Sequence, residues 1–177
     1  MAQAAELGYA VAMNGHLTGL FHVAIKTADL DKTVRFYRDV IGCHETARPP
    51  LGFPGAWLQV PTPVGEAIFH IYAGEPAKGP NGTPTPHGTG AIDHVSLTAV
   101  GFQAMRGRFR AAGLPWREAI VPGANLWQLF IFDPSGVQLE IIFDARAESG
   151  PEPDDSTPGV RYRPNEDYFD PEAYARL

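Results

Sequence analysis

The chain of 177 residues has a single cysteine, no run of positive charge and no long apolar run. One thiol, Cys43, forms no disulfide within the chain, and no secretory signal pattern opens the sequence, so the expected location is the cytoplasm. The net charge of -6 offers no basic surface for nucleic acid. No segment approaches the roughly 20 apolar residues that cross a bilayer. Nucleic acid and membrane are therefore excluded as expected partners, and a small-molecule substrate is favoured.

Composition divides the chain into five predicted segments. Residues 1–18 form an Ala-rich N-terminal arm, residues 75–90 form a Pro/Gly-rich linker, and residues 145–177 form an acidic, Pro-rich C-terminal extension. The extension has eight acidic residues and four arginines, a net of -4, and its four aromatic residues favour docking onto the rest of the protein. Between these segments lie two modules, residues 19–74 and 91–144.

Each module has the pattern of one strand, one helix and three strands. In the first module, LFHVAIKT alternates like a strand, and Asp29 is a plausible N-cap for a helix that ends at Gly42. Three strand-like pieces follow, namely CHETA, GAWLQV and EAIFHIYA. The second module repeats the plan with IDHVSLTA, a helix that ends at Gly113, WREAIV, LWQLFIF and VQLEIIF. The repeat predicts a duplicated α+β unit.

Ligand-capable side chains occur at matching places in the two modules. His22 and His94 each open an HV dipeptide, and His70 and Glu140 each follow a tryptophan, Trp57 or Trp127, by thirteen residues. A carboxylate between Leu139 and Ile141 is costly to bury unless it is paired or binds a cation. We therefore expect the three histidines and the carboxylate to lie mid-strand and to hold one divalent ion, with Fe, Mn, Ni, Co and Zn all compatible.

The βαβββ repeat, together with FHVAIKTADLDKTVRFYRDVIG, DHVSLTA and FDPSGVQLEIIF, resembles the vicinal oxygen chelate superfamily of glyoxalases, bleomycin-resistance proteins and extradiol dioxygenases. The resemblance covers roughly residues 19–144. It implies an α+β fold in which the two modules form a half-open, barrel-like cleft. It also implies a metal held by His22, His70, His94 and Glu140, and a homodimer in which a second copy completes the cleft or covers open sheet edges.

Three functions are compatible with this resemblance. The first is metal-assisted acid–base chemistry of the isomerase, epimerase or lyase type on a carbonyl or diol substrate, in which His70 or Glu140 moves the proton. The second is extradiol cleavage of a catechol at iron, against which Phe130 stands where that group has a tyrosine. The third is a binder of a small molecule or antibiotic. We rank the first highest.

The remaining site predictions are less specific. His70 is interpreted as a fourth metal ligand or as a free base, because the related enzymes have Glu or Gln at this place. Four further residues are candidates for substrate binding: Trp57, Trp127, Gln128 and Arg117. The sequence leaves the substrate and the identity of the metal open.

Overall fold

The computed structural model describes residues 20–60, 67–74, 81–85, 87–121, 123–154, 156 and 169–177. The predicted N-terminal arm up to residue 18, part of the linker, and residues 155 and 157–168 of the acidic extension lie outside this range. None of the helices within it is long and apolar enough to span a membrane.

The first module begins with strand β1 (Val23–Thr27) and helix α1 (Leu30–Arg35), which continues as a π-helix over Phe36–Ile41. Strands β2 (His44–Thr46), β3 (Gly55–Gln59) and β4 (Ala67–Ala73) follow. The carboxylate of Asp29 accepts a hydrogen bond from the backbone of Lys32 at 3.0 Å, as an N-cap does. Gly42 ends the helix with φ +94°, a conformation that favours glycine. Both predicted ends of this helix are confirmed.

The second module has the same order: β5 (Val95–Thr98), α2 (Phe102–Ala112), β6 (Trp116–Val121), β7 (Leu126–Phe132) and β8 (Gln138–Asp144). The strands form two four-stranded sheets, in the orders β1-β4-β3-β2 and β5-β8-β7-β6. In each sheet the first strand pairs in parallel with the last, and the other pairs are antiparallel. The predicted α+β fold of two βαβββ modules is confirmed. The two sheets are separate and do not close into a barrel.

The helices cover one face of each sheet and build the core there. Tyr37 lies against Phe69 of β4 with ring centroids 4.6 Å apart, and Phe102 of α2 lies against Trp127 and Phe143. Burial of these large rings supplies much of the apolar stabilisation of each module. Because side chains alternate along a strand, the opposite face of each sheet presents His70 and Glu140.

The end of the chain docks onto both modules. A short 3-10 helix, Pro171–Arg176, places the buried ring of Tyr174 beside Phe36 of the first module, with centroids 6.1 Å apart. The hydroxyl of Tyr174 donates to the carbonyl oxygen of Phe132 in the second module at 2.5 Å. Arg35 donates to the carbonyl oxygen of Leu177 at 2.7 Å. The described part of the acidic extension therefore bridges the two modules.

Candidate metal centre

Strand register gives His70 and Glu140 equivalent positions in their modules. His70 of β4 pairs with Ala24 of β1, and Glu140 of β8 pairs with Ser96 of β5, in the same parallel arrangement. Both residues lie mid-strand, as predicted. His22 and His94 lie one residue before the first residue of β1 and of β5, so the prediction that all four candidates are mid-strand is wrong for these two.

The equal spacing from each tryptophan does not give equal positions. Trp57 pairs with His70, whereas the residue that pairs with Glu140 is Phe130, and Trp127 pairs with Phe143. The reason is the length of the hairpin: β3 and β4 are joined by residues 60–66, and β7 and β8 by the shorter turn 133–137. Trp127 therefore lies on the helix side of its sheet, and the structure does not bring it to Glu140.

The first pair of candidates, His22 and His70, will be called half-site one. Their rings stack with centroids 3.9 Å apart and planes 19° apart, and Trp57 stacks on the other side of His70 at 4.3 Å and 7°. The Nδ1 atom of His22 is buried without a hydrogen-bond partner in the described part of the chain. Such an atom is costly to desolvate unless a proton donor or a metal ion approaches it.

The environment of His70 favours its neutral form. Burial lowers the pKa of this imidazole, and the neighbouring His22 and the positive charge of Arg48 lower it further. A neutral ring keeps one nitrogen lone pair, which a metal ion or a substrate proton requires. His70 is therefore suited to either role predicted for it.

The second pair, His94 and Glu140, will be called half-site two. The Nε2 atom of His94 lies 3.3 Å from Oε2 of Glu140, and its Nδ1 atom lies 2.7 Å from Oδ1 of Asp93. Gln128 donates a short hydrogen bond to Oε1 of Glu140. The Asp93 carboxylate stabilises a proton on Nδ1, and in that tautomer the Nε2 lone pair of His94 faces the Glu140 carboxylate.

The separation in half-site two fits a shared cation. Two ligand atoms that are each about 2.1 Å from one ion are about 3.0–3.4 Å apart when the angle between them is near tetrahedral or octahedral. The 3.3 Å between His94 and Glu140 falls in this range. Imidazole nitrogen and carboxylate oxygen are also a donor set that first-row divalent ions accept.

The two half-sites do not merge within one chain. Across the described residues, no three His, Cys, Asp or Glu side chains are close enough together to hold one ion. The structure thus brings His22 to His70 and His94 to Glu140, but it does not bring these two pairs together. A cavity of about 690 Å³ lies between the modules, lined by Ile68, Ser96 and Thr98 among others, and none of the four candidates lines it.

Of the predicted substrate residues, Trp57 and Gln128 contact candidate ligands directly. Arg117 of β6 pairs with Phe130 and so lies on the same sheet face as Glu140, two strands away. Sequence reasoning missed two other residues, Asp93 and Arg48. Asp93 directly precedes His94, and this adjacency was a usable signal, because a carboxylate often orients a liganding histidine. No local pattern indicated Arg48, whose proximity to His70 depends on the path of the chain after β2.

Comparison with known proteins shows the family to which the chain belongs. The family model described as the Glyoxalase/Bleomycin resistance protein/Dioxygenase superfamily matches residues 19–141. The chain belongs to this superfamily. Its resemblance to the vicinal oxygen chelate proteins is thereby confirmed.

Similar proteins in this glyoxalase superfamily include two curated relatives. The chain is 32% identical to "Glyoxylase I 4" of Arabidopsis thaliana over 129 residues, which are 71% of each protein. It is 26% identical to "Lactoylglutathione lyase" of Haemophilus influenzae over 137 residues, 74% of this chain and 96% of that protein. A crystal structure of a glyoxalase family protein from Bacillus anthracis shares the fold, with a TM-score of 0.57 at 16% identity, over 75% of this chain and 99% of that one.

Proposed function

We propose that this protein is a metal-dependent enzyme that moves a proton at carbon beside a carbonyl or hydroxyl group, in a reaction of the isomerase, epimerase or lyase type. The observation that carries the proposal is half-site two, where His94 Nε2 and Glu140 Oε2 lie 3.3 Å apart. A carboxylate and an imidazole that are held in this way suit a divalent cation. The curated relatives named as glyoxylase and lyase support chemistry of the same kind.

We further propose that the metal centre is completed by a homodimer. Each chain carries two half-sites, and neither alone offers more than two of the four predicted ligands. A two-fold axis that brings half-site one of one copy to half-site two of the other creates two identical centres at once, since every contact in such a dimer occurs twice. This arrangement accounts for four matched ligands that remain in separate pairs within a single chain.

In this proposal each candidate side chain has a separate role. His22, His94 and Glu140 hold the ion, and His70 acts either as the fourth ligand or as the base. A divalent ion bound there would supply Lewis-acid stabilisation of the negative charge that develops on the substrate when the carbon-bound proton leaves. The neutral ring of His70 is ready to accept that proton, and its stacking on Trp57 fixes the plane of the imidazole. Gln128 holds one oxygen of Glu140 in place.

Metal content tests the ligand set. We expect His22→Ala and Glu140→Ala to lose stoichiometric metal by elemental analysis while they keep the circular dichroism of the folded protein. His44→Ala is the matched control, because His44 is an exposed histidine on β2. Full metal retention in either of the first two variants removes that residue from the centre.

His70 needs a separate experiment, because two roles are open to it. His70→Ala is assayed for metal content and for deuterium uptake from solvent into a panel of hydroxycarbonyl compounds. If metal is retained and exchange is lost, His70 is the base. If metal is lost as well, His70 is a ligand. Oxygen consumption with a catechol and iron in the purified protein would instead favour the dioxygenase reaction and overturn the proposal.

Mixing two inactive variants tests the dimer. In the proposed arrangement, a heterodimer of His22→Ala with Glu140→Ala has one centre that lacks both ligands and one that is intact. Random exchange of subunits then restores about a quarter of the metal sites, since half of the dimers carry one good centre of two. If each centre is built within one chain, the mixture binds no more metal than either variant alone.

A further inference from the structure

Arg48 lies on the same sheet face as half-site one. Thr46, Trp57 and His70 form one row across β2, β3 and β4, so side chains at alternate positions share their face. Arg48 follows Thr46 by two residues, and Gly55 precedes Trp57 by two. The guanidinium indeed lies over Gly55: a Cβ atom built at Gly55 is 3.3 Å from Nη2 of Arg48 and also meets the backbone oxygen of Ile71. Because residue 55 is glycine, there is room for the guanidinium in the row next to His70.

One edge of this guanidinium has no acceptor in the part of the chain that the structure describes. The Nε and Nη2 atoms of Arg48 are buried, and neither finds a hydrogen-bond partner among the described residues. These two atoms form the side-on fork that matches the two oxygens of a carboxylate. A buried positive charge without an acceptor is strongly unfavourable, so this fork is suited to an anion that the described residues do not supply.

One aromatic ring lies beside the guanidinium, and a second continues from it toward His70. The Cζ atom of Arg48 lies 4.7 Å from the centre of the Phe53 ring, and Phe53 packs edge-on against Tyr72 at 5.3 Å and 88°. Tyr72 is in turn 6.5 Å from the ring of His70. Phe53 is 41% exposed and lies in a bend next to Gly52, so its ring can swing away from the guanidinium without disturbing a strand.

We propose that Arg48 binds the carboxylate of an aromatic or otherwise apolar substrate and thereby fixes the reacting end of that substrate beside His70. This proposal rests on the function proposed above, because it assigns the Nε and Nη2 atoms of Arg48 to the same active site as His70. The substrate class is then an apolar carboxylic acid that carries an oxygenated carbon. Phe53, Tyr72 and Trp57 supply the apolar wall.

The test uses 4-fluorobenzoate as the probe and 4-fluorobenzamide as its neutral analogue of the same shape. Both are titrated by fluorine NMR against the full-length protein after treatment with EDTA, so that any metal centre is empty. We expect the benzoate to bind at least tenfold more tightly than the benzamide. Arg48→Met should weaken benzoate binding at least tenfold. Arg48→Lys, which keeps the charge but lacks the fork, should weaken it severalfold and guards against misfolding of the first variant.

Arg110→Met is the matched control, because it removes the same charge at an exposed position on α2. Its affinity for benzoate should equal that of the unmodified protein. The proposal is overturned if benzoate and benzamide bind alike, if benzoate does not bind, or if Arg48→Met, Arg48→Lys and Arg110→Met all bind benzoate equally. Because this titration is done without metal, a failure of benzoate to bind would contradict the role of Arg48 but not the proposed metal-dependent function. Conversely, if the metal assays contradict the proposed function, the measured effect of Arg48 on benzoate binding remains valid.

Discussion

The imidazole of His94 is held between two carboxylates, with Nδ1 2.7 Å from Asp93 and Nε2 3.3 Å from Glu140. The two acids have different surroundings. Asp93 also accepts a hydrogen bond from Gln138 at 3.2 Å, whereas Glu140 is buried mid-strand beside Gln128. For the proposed metal centre, we therefore assign the orientation of the ring to Asp93 and the role of ligand to Glu140.

This assignment predicts that Asp93→Ala weakens metal binding without abolishing it. Removal of a carboxylate that orients a liganding histidine typically lowers metal affinity about 10- to 100-fold. Competition with a chelating indicator measures the affinity for zinc or nickel. The control is Asp31→Ala, an exposed carboxylate in the first turn of α1. Equal affinities in the two variants would show that Asp93 has no part in the centre.

A second prediction concerns the start of α2. Gly101 is the N-cap residue and has no side chain with which to cap the helix. The carboxylate of Glu148, 47 residues further along the chain, caps it instead. It accepts hydrogen bonds of 2.8 Å from the backbone N–H groups of Gly101 and Phe102. Such a cap also places negative charge at the positive end of the helix. We expect Glu148→Ala to lower the free energy of unfolding by about 1–2 kcal/mol in urea denaturation. Glu152→Ala, at an exposed position, should change it by less than about 0.5 kcal/mol. Identical stabilities would contradict the cap.

The fold was largely predictable because its signals are local. Asp29 and Gly42 mark the ends of the first helix, and Gly113 with φ +68° ends the second. Each of these helix ends depends on the capping preference of a single residue type, so it can be recognised in the sequence. Alternation marked the first strand, within LFHVAIKT, in the same way. Local signals therefore gave the element order of both modules.

The site was only partly predictable because its contacts are set by register and loop length. Thirteen residues separate Trp127 from Glu140, as they separate Trp57 from His70, yet the shorter hairpin places Phe130 beside Glu140 instead. Adding or removing one residue in a hairpin moves every side chain of the following strand to the opposite face of the sheet. The spacing of two residues along the chain does not reveal such a shift. The cap by Glu148 and the position of Arg48 likewise depend on residues far apart in sequence or on loop paths.

A third prediction tests the bridge made by the end of the chain. The buried hydroxyl of Tyr174 donates to the carbonyl oxygen of Phe132, so Tyr174→Phe leaves that oxygen without this donor. The expected loss is about 1–2 kcal/mol in the free energy of unfolding. Tyr72→Phe makes the same chemical change at a half-buried residue and is expected to have a smaller effect. If the two variants unfold at the same urea concentration, the hydroxyl of Tyr174 contributes nothing to docking.

The last prediction concerns the buried carboxyl of Asp133, which joins the modules. Tyr37 donates to its Oδ2 atom at 3.1 Å, and the backbone of Ser135 and of Val137 donates to Oδ1 at 2.8 Å. Burial raises the pKa of Asp133 to about 6 from its ordinary 3.8, although these hydrogen bonds act in the opposite direction. The folded protein therefore holds this proton more tightly than the unfolded chain does.

The sign of the pH dependence follows from proton uptake. Between about pH 4 and pH 6 the folded state binds more protons at Asp133 than the unfolded state, so the stability contributed by this group falls as pH rises through that window. Asp133→Asn is neutral throughout and lacks this loss. From pH 4 to pH 7, we expect its free energy of unfolding to rise relative to that of the unmodified protein by about 2 kcal/mol. Asp144→Asn is the control, because hydrogen bonds from Arg146 lower the pKa of that exposed carboxyl to about 2. The difference in free energy of unfolding between this variant and the unmodified protein should therefore not change from about pH 5 to pH 7. A pH-independent difference for Asp133→Asn would show that the buried carboxyl titrates normally.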